Sequence, residues 1–329
     1  MKKLSFVLLI FISFCLCACS SYKNKSGVIC VNSSFIDVSI YDYSLDKCEN
    51  AFDNIENIFK QIAKLCDYKT SYEGLNNVYT INSSEKEVVV DEFLYDLLKE
   101  AVDYQTITEG LYNPFMGNIY DAYDELLAMN IGNITLDKIP NDNFLKTELN
   151  NSKNTKIIFS EQGRSVRKIG DGKIDLRDIA NSYALKLSKA YLNNQGIYNY
   201  FLNVDLNNVS LGNKHNSSYY SVGVRDIDSL VLKIKNKDIC SSSILENNFD
   251  LYGKRYHKFI STVSGKPENM YDICVVIDND PVRVSIFSRI FITLETEKFT
   301  KFYLKYNFDI LIFKDKEIVY QTKKENIYG

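Results

Sequence analysis

Few stretches of the chain carry side chains able to do chemistry. In Lys173-Ile174-Asp175-Leu176-Arg177-Asp178, Asp175 lies where a strand-like run passes into a helical one, a loop position that often serves ligands. Asp178 has the residue type of an N-cap for the helix that follows, and Asp175 can equally be a cap or a solvated acid. Ser241, Ser242 and Ser243 offer consecutive hydroxyls, but no histidine stands beside them as a base. Residues 253–267, GKRYHKFISTVSGKP, have the composition of a hairpin and turn. They include His257, which within a strand reads as a partly buried polar residue. His215 and His257 are the only histidines and no CxxC occurs, so a zinc site built from His and Cys is not expected. There is no P-loop and no GxGxxG.

The N-terminus carries an address. Lys2 and Lys3 precede an apolar run from Leu4 to Leu16, too short to span a hydrocarbon core of about 30 Å as a helix. Leu16-Cys17-Ala18-Cys19 closes the run and resembles a bacterial lipobox. That reading makes residues 1–18 a signal peptide and Cys19 the first mature residue, bearing a lipid. It places the protein on the extracytoplasmic face of a bacterial cell membrane. The alternative is an ordinary signal peptide with incidental cysteines.

Composition adds exclusions. The chain has 39 basic and 42 acidic residues, and no basic block of the kind that binds nucleic acid. Tryptophan is absent. Past Cys19 the cysteines are Cys30, Cys48, Cys66, Cys240 and Cys274, an odd and irregular set that is no disulfide framework. Cys48 and Cys66 fall on one predicted helix about 27 Å apart, far beyond the ~7 Å that a disulfide allows between Cα atoms.

The elements that must position these residues alternate along the chain. Residues 20–27 read as a polar tether and Ile29 to Tyr41 as a strand. Ser44 caps a helix whose apolar stripe is Ala51, Ile55, Ile58, Phe59, Ile62 and Leu65. A second helix runs from about Asp91 to Tyr104, then a loop punctuated by Gly110, Pro114 and Gly117. Residues 130–155 read as an Asn-rich connection, and Lys156–Ser160 and Lys173–Leu176 as strands. A helix from Asp178 to Asn194 ends at Gly196. Strands follow at Tyr198–Val204, Tyr219–Val224, Val231–Ile234, His257–Ser261 and Ile273–Ile277, then a helix at Val284–Leu294 and a short one after it. Asp309–Phe313 and Ile318–Gln321 end the chain as strands. The interleaving indicates an α+β or α/β unit.

The order of the segments carries more than any one of them. It runs Cys66-Asp67-Tyr68, TEGLYNPFMG (108–117), DLRDIANSYA (175–184), NVDLN (203–207), VGVRDI (222–227), Ser241–Ser243, GKRYHKFISTVSGKP and VSIFSRIFIT (284–293). This succession resembles the flavin transferases of the ApbE type, the FAD:protein FMN transferases, over roughly residues 35–322. The resemblance implies an α+β, T-fold-type single intertwined unit over residues 28–329, with two α/β halves around a flavin cleft. It implies FAD as ligand, magnesium as the family's metal and an extracytoplasmic target protein whose threonine receives FMN. Such phosphoryl transfer needs an in-line hydroxyl and a cation on the pyrophosphate, held by oxygen ligands. Carried onto this chain, Tyr68, Asn113, Asp175 and Asn181 fall at flavin-binding positions. Lys258 and Ser261 stand where the family has a His and an Asp, and Asp178, Ser285 and Arg289 fall at metal positions.

The departures fall on the chemistry. Ser285 and Arg289 replace an Asp and a Thr, and Ser288 replaces an acid found in some members. Serine is a poor magnesium ligand and arginine repels the cation. Arg177 and Asp178 replace two glycines of a turn that approaches phosphate, Asn181 a lysine or glutamate, Ser182 a glycine and Asn113 an aspartate. Asp205 and Leu206 replace a glycine pair. The chain is therefore expected to keep the family scaffold without its metal-dependent catalysis, persisting as a flavin-binding or protein-binding lipoprotein. The alternatives are an active magnesium-dependent transferase with an unusual site, and an unrelated surface lipoprotein. Arg289 has three possible places: paired with Asp178 where the family holds its cation, on a pyrophosphate together with Lys258, or in solvent.

Overall fold

In the computed structural model, which describes residues 21–322 and 327–328, the chain opens with a hairpin. Strands β1 (Lys23–Val31) and β2 (Ser34–Asp42) pair antiparallel, with Asn32 of the turn in the left-handed region. The Leu16–Cys19 motif lies outside the described residues. Because β1 begins at Lys23, residues 23–27 are part of the sheet rather than of a tether. Lys, Asn and Ser suit an edge strand, where one side meets water, so polarity alone concealed it. The one strand expected over Ile29–Tyr41 is correspondingly two.

Helix α1 (Leu45–Cys66) follows, capped by Ser44, whose side chain accepts from the Lys47 amide. Its Cys48, Ala51, Ile55, Phe59, Ile62 and Leu65 are buried, as the period of 3.6 requires. Next come α2 (Val78–Asn82), β3 (Val88–Val89), α3 (Glu92–Ile107), α4 (Gly117–Ala128) and α5 (Asp142–Asn154). Helices α4 and α5 occupy what reads as loop and Asn-rich connection. Gly117 is not a loop break but the first residue of α4, where a Cβ would meet the Lys173 carbonyl at 2.8 Å. Strands β4 (Lys156–Ser160) and β5 (Ser165–Ile169) form a small sheet with β3, and α6 (Ala180–Asn194) follows. Lys173–Leu176 is no strand. The Asn82 side chain instead bonds both the N–H and the C=O of Ile174, at 2.8 and 2.9 Å.

The remainder comprises β6 (Asn199–Val204), β7 (Asn208–Leu211), β8 (Tyr220–Val224), β9 (Ile227–Ile234), β10 (Asp238–Ser243), β11 (Phe249–Leu251), β12 (Lys254–Tyr256) and β13 (Ile273–Asp278). Then come α7 (Pro281–Phe291), α8 (Thr300–Tyr306), β14 (Asp309–Lys314), β15 (Glu317–Gln321) and β16 (Ile327–Tyr328). His257–Ser261 follows β12 rather than forming a strand.

The main sheet has eight strands in the order β1-β2-β6-β7-β10-β13-β14-β15, each neighbouring pair antiparallel. Strands β2 and β6 are neighbours although residues 43–198 lie between them, so the N-terminal hairpin joins one sheet with strands from the second half of the chain. Alternation sorts its faces. In β13 and β14, Cys274, Val276, Ile310 and Ile312 join a core that includes α1, α6 and α7 residues. Ile273, Val275, Ile277, Leu311 and Phe313 point the other way, into a core shared with β8 and β9. Helix α7 is buried on nearly all sides, and Phe287 packs against Phe291, Phe302 and Phe308 with ring centroids 5.0–5.4 Å apart. That packing fixes where α7 delivers Ser285, Ser288 and Arg289.

Candidate functional site

A cleft of about 730 Å³ opens at the β1–β2 turn. Phe35 and Asp37 of β2 wall one side, Ser241–Ser243 of β10 the floor, and Ser285 and Arg289 of α7 the back. Arg177, Asp178 and Asn181 enter at the start of α6, and Lys258 from the segment after β12.

At the back of the cleft every aligned metal position is engaged with protein. Arg289, in the last turn of α7, pairs with the Asp178 carboxylate. The other oxygen of that carboxylate accepts from the Tyr120 hydroxyl at 3.1 Å. Ser285 donates to the Asp178 carbonyl at 2.9 Å, and Ser288 donates to the Ser285 carbonyl at 3.0 Å. The Ser242 hydroxyl lies 2.9 Å from that of Ser288, in hydrogen-bond contact. The Asp178 side chain does not cap α6; the N-cap is Ile179, without a side-chain cap bond. Released from that duty, the carboxylate faces Arg289. Magnesium does not fit this donor set: one carboxylate already carries a guanidinium, and the serine is turned onto a backbone carbonyl. Among the described residues no group of three or more His, Cys, Asp or Glu is arranged to hold a metal ion.

A second arginine closes the neighbouring wall. Arg177 forks onto Asp175, with Nε to Oδ2 at 2.7 Å, and onto both oxygens of Asp124 at 2.8 and 2.9 Å. It donates to the Tyr68 hydroxyl at 2.9 Å, which in turn donates to Asp121 at 3.0 Å; Lys173 pairs with Asp121. Burial pushes the Asp175 carboxyl upward, and Arg177 pulls it back. Burial likewise raises the Tyr68 hydroxyl. Tyr68 and Asp175 thus come together, but behind Arg177 and bonded to it rather than on the cleft wall.

The remaining sequence candidates divide. Asn181 lines the cleft and donates to Ser34 at 3.1 Å. Lys258 lines it too, and among the described residues forms no ion pair; its ammonium lies 5.4 Å from the Phe259 ring centroid. Burial, then the positive charge of Arg289, pulls its pKa down. Such a cation favours an incoming anion. Asn113 is elsewhere, its Oδ1 accepting from the Phe115 amide and from Gln105. Ser261 holds its own turn, accepting from the Val263 and Ser264 amides at 3.2 and 3.4 Å. The sequence treated Arg177 only as a crowding departure and passed over Tyr120, Asp121 and Asp124. The spacing of Asp121 and Asp124, one helical turn, is the signal that places both on one face. His257 is fully buried outside the cleft, with Nδ1 accepting from the Phe259 amide at 3.1 Å.

The ApbE family model matches residues 33–312. The FAD:protein FMN transferase of Klebsiella pneumoniae (strain 342) is 23% identical over 251 residues, covering 73% of this chain and 75% of that protein. The ApbE protein of Thermotoga maritima superposes with a TM-score of 0.74 at 20% identity, covering 88% of this chain and 94% of that one. The flavin transferase ApbE of Vibrio cholerae superposes with a TM-score of 0.74 at 15% identity, over 92% and 98% of the two chains. The apo form of the flavinyl transferase ApbE of Pseudomonas stutzeri superposes with a TM-score of 0.74 at 17% identity, over 92% and 95%. The α+β architecture read from the sequence is the fold these structures share.

Two outcomes follow from the geometry. Arg289→Ala leaves the Asp178 carboxylate without its counter-charge and costs about 2–3 kcal/mol, the low end for a buried pair because Arg289 keeps some exposure. The double variant with Asp178→Ala costs less than Arg289→Ala alone, as read from urea unfolding midpoints; strict additivity contradicts the coupling. Burial pushes His257 down to about 4, below the ordinary value of 6.5 for an unfolded chain. Its contribution is therefore whole above pH 6.5 and is lost as pH falls toward 4. Over that window the protein loses up to about 3 kcal/mol more than the His257→Gln variant. Parallel pH profiles for the two proteins contradict the assignment.

Proposed function

The chain belongs to the ApbE family, and we propose that it is a flavin-nucleotide-binding member that works without magnesium and no longer transfers FMN. The observation that carries this reading is the Arg289–Asp178 pair, with Ser285 turned onto the Asp178 carbonyl. A fixed guanidinium there supplies positive charge but, held by Asp178 and 5.0 Å from the Phe259 ring centroid, does not bridge the two phosphates of FAD as a divalent cation would while the bond between them breaks and AMP departs. FAD, when bound, brings a dianionic pyrophosphate. Lys258, an unpaired ammonium on the cleft wall, together with the nearby Arg289, gives that group a counter-charge. Asn181 and the serines of β10 offer neutral donors on the same surface. In this reading the residues hold and orient the nucleotide rather than cleave it. The Leu16–Cys19 motif behind Lys2 and Lys3 supports lipidation at Cys19 and a position on the extracytoplasmic face of a bacterial cell membrane.

The purified protein is incubated with FAD, magnesium and a target domain bearing an acceptor threonine, and run on a denaturing gel. No flavin-fluorescent band forms. FAD titration gives a dissociation constant that agrees within about twofold in magnesium and in EDTA, and Lys258→Gln weakens it about tenfold, or 1.4 kcal/mol. A protein-dependent fluorescent band, or affinity that vanishes in EDTA, overturns the reading.

A further inference from the structure

The end of the main sheet remote from the cleft carries an aromatic patch whose residues do not line it. The Tyr22 and Tyr43 rings stack with centroids 4.4 Å apart. His215 stacks on Tyr41 at 4.4 Å and lies 5.4 Å from Tyr22. Tyr43 and Tyr198 are 56% and 55% exposed, and Leu45 beside them 44%, although most large apolar side chains of this fold are inside. The register explains the gathering. Lys23 pairs with Asp42 and Tyr41 with Asn199, so Tyr22, Tyr43 and Tyr198 all stand at one end of three adjacent strands. The cleft is at the other end, walled by Ser33, Phe35 and Leu206. Eight residue steps along β2 and just past its end separate Phe35 from Tyr43, about 26 Å at the rise of a strand.

We propose that this patch seats on phospholipid headgroups and so points the cleft away from the bilayer, toward the extracytoplasmic space. The proposal rests on the reading of Cys19 as the lipid-bearing residue. Tyr22 is three residues from Cys19, a contour of at most about 11 Å, so a chain anchored at Cys19 brings this end of the sheet to the membrane surface. Tyrosine rings with an apolar body and a hydroxyl edge are the side chains that favour the boundary between hydrocarbon and water. The exposed Lys23 beside Tyr22 adds a cation facing anionic headgroups.

The absence of tryptophan makes the test direct, because a single introduced tryptophan reports alone. Tyr43→Trp and Phe35→Trp sit at opposite ends of β2. Each full-length variant is expressed in bacteria, purified from membranes and reconstituted without flavin into phosphatidylcholine–phosphatidylglycerol vesicles containing brominated lipid. The tryptophan at 43 is quenched by brominated lipid at least threefold more than the one at 35, and by aqueous iodide less. Equal quenching at the two positions overturns the proposal. So does a tryptophan at 43 shielded from both quenchers, which means that a protein or a second copy covers the patch. Mass spectrometry of the peptide containing residue 19 decides lipidation separately. The quenching comparison decides the seating whichever group anchors the N-terminus.

Discussion

Arg289 reaches from the last turn of α7 to the carboxylate of Asp178, two residues before α6, and joins the two helices that frame the cleft. Desolvating both charges is expensive, and their attraction offsets that cost only with further partners. The partners are present: Tyr120 on the second carboxylate oxygen, the Phe259 ring near the guanidinium, Ser285 on the Asp178 carbonyl. Once the pair is made, the arrangement of Ser285, Ser288 and Ser242 follows, because each hydroxyl finds its partner inside the protein. At this centre the Asp178 carboxylate is balanced by the Arg289 guanidinium, and the Ser285 and Ser288 hydroxyls are turned onto protein carbonyls.

Arg177 extends the same logic to the adjacent wall. A glycine there would open the space between Asp175, Asp124 and the Tyr68 hydroxyl, with Tyr68 keeping its bond to Asp121. The guanidinium fills that space and satisfies all three, and stacks over Tyr120 at 4.9 Å from its ring centroid. Two arginines at either side of the α6 start therefore turn ligand positions into internal bonds. Lys258 remains the uncommitted cation among these candidates. The cleft wall thus keeps Lys258 as a cation, while the aligned metal positions are bonded within the protein.

Much of this was legible in the sequence where one physical rule dominates. The α1 stripe, its Ser44 cap and the strands Lys156–Ser160 and Ile273–Ile277, the last extended by one residue to Asp278, follow from the sequence pattern, because each buries one clear face or run. The pairing of Arg289 with Asp178 was among the arrangements the substitutions suggested. Other features were set by tertiary partners that spacing does not reveal. Strand β10, ending Cys-Ser-Ser-Ser, lacks strand propensity and is a strand because β7 and β13 flank it. Gly117 resembles a turn signal and serves close packing instead. Asp178 has the residue type of a cap, and Arg289 competes for it successfully. Asn113 and Ser261 match polar positions of the family's pattern but satisfy their own turns.

Manganese binding tests most directly whether the Arg289 guanidinium stands in place of a metal ion. Electron paramagnetic resonance on the FAD-loaded protein follows free Mn²⁺ as the ion is titrated. The wild-type chain binds no stoichiometric manganese, whereas the Ser285→Asp/Arg289→Thr variant, which returns a carboxylate and a hydroxyl to α7 and frees Asp178, binds one ion per chain. One tightly bound manganese in the wild-type protein contradicts the account.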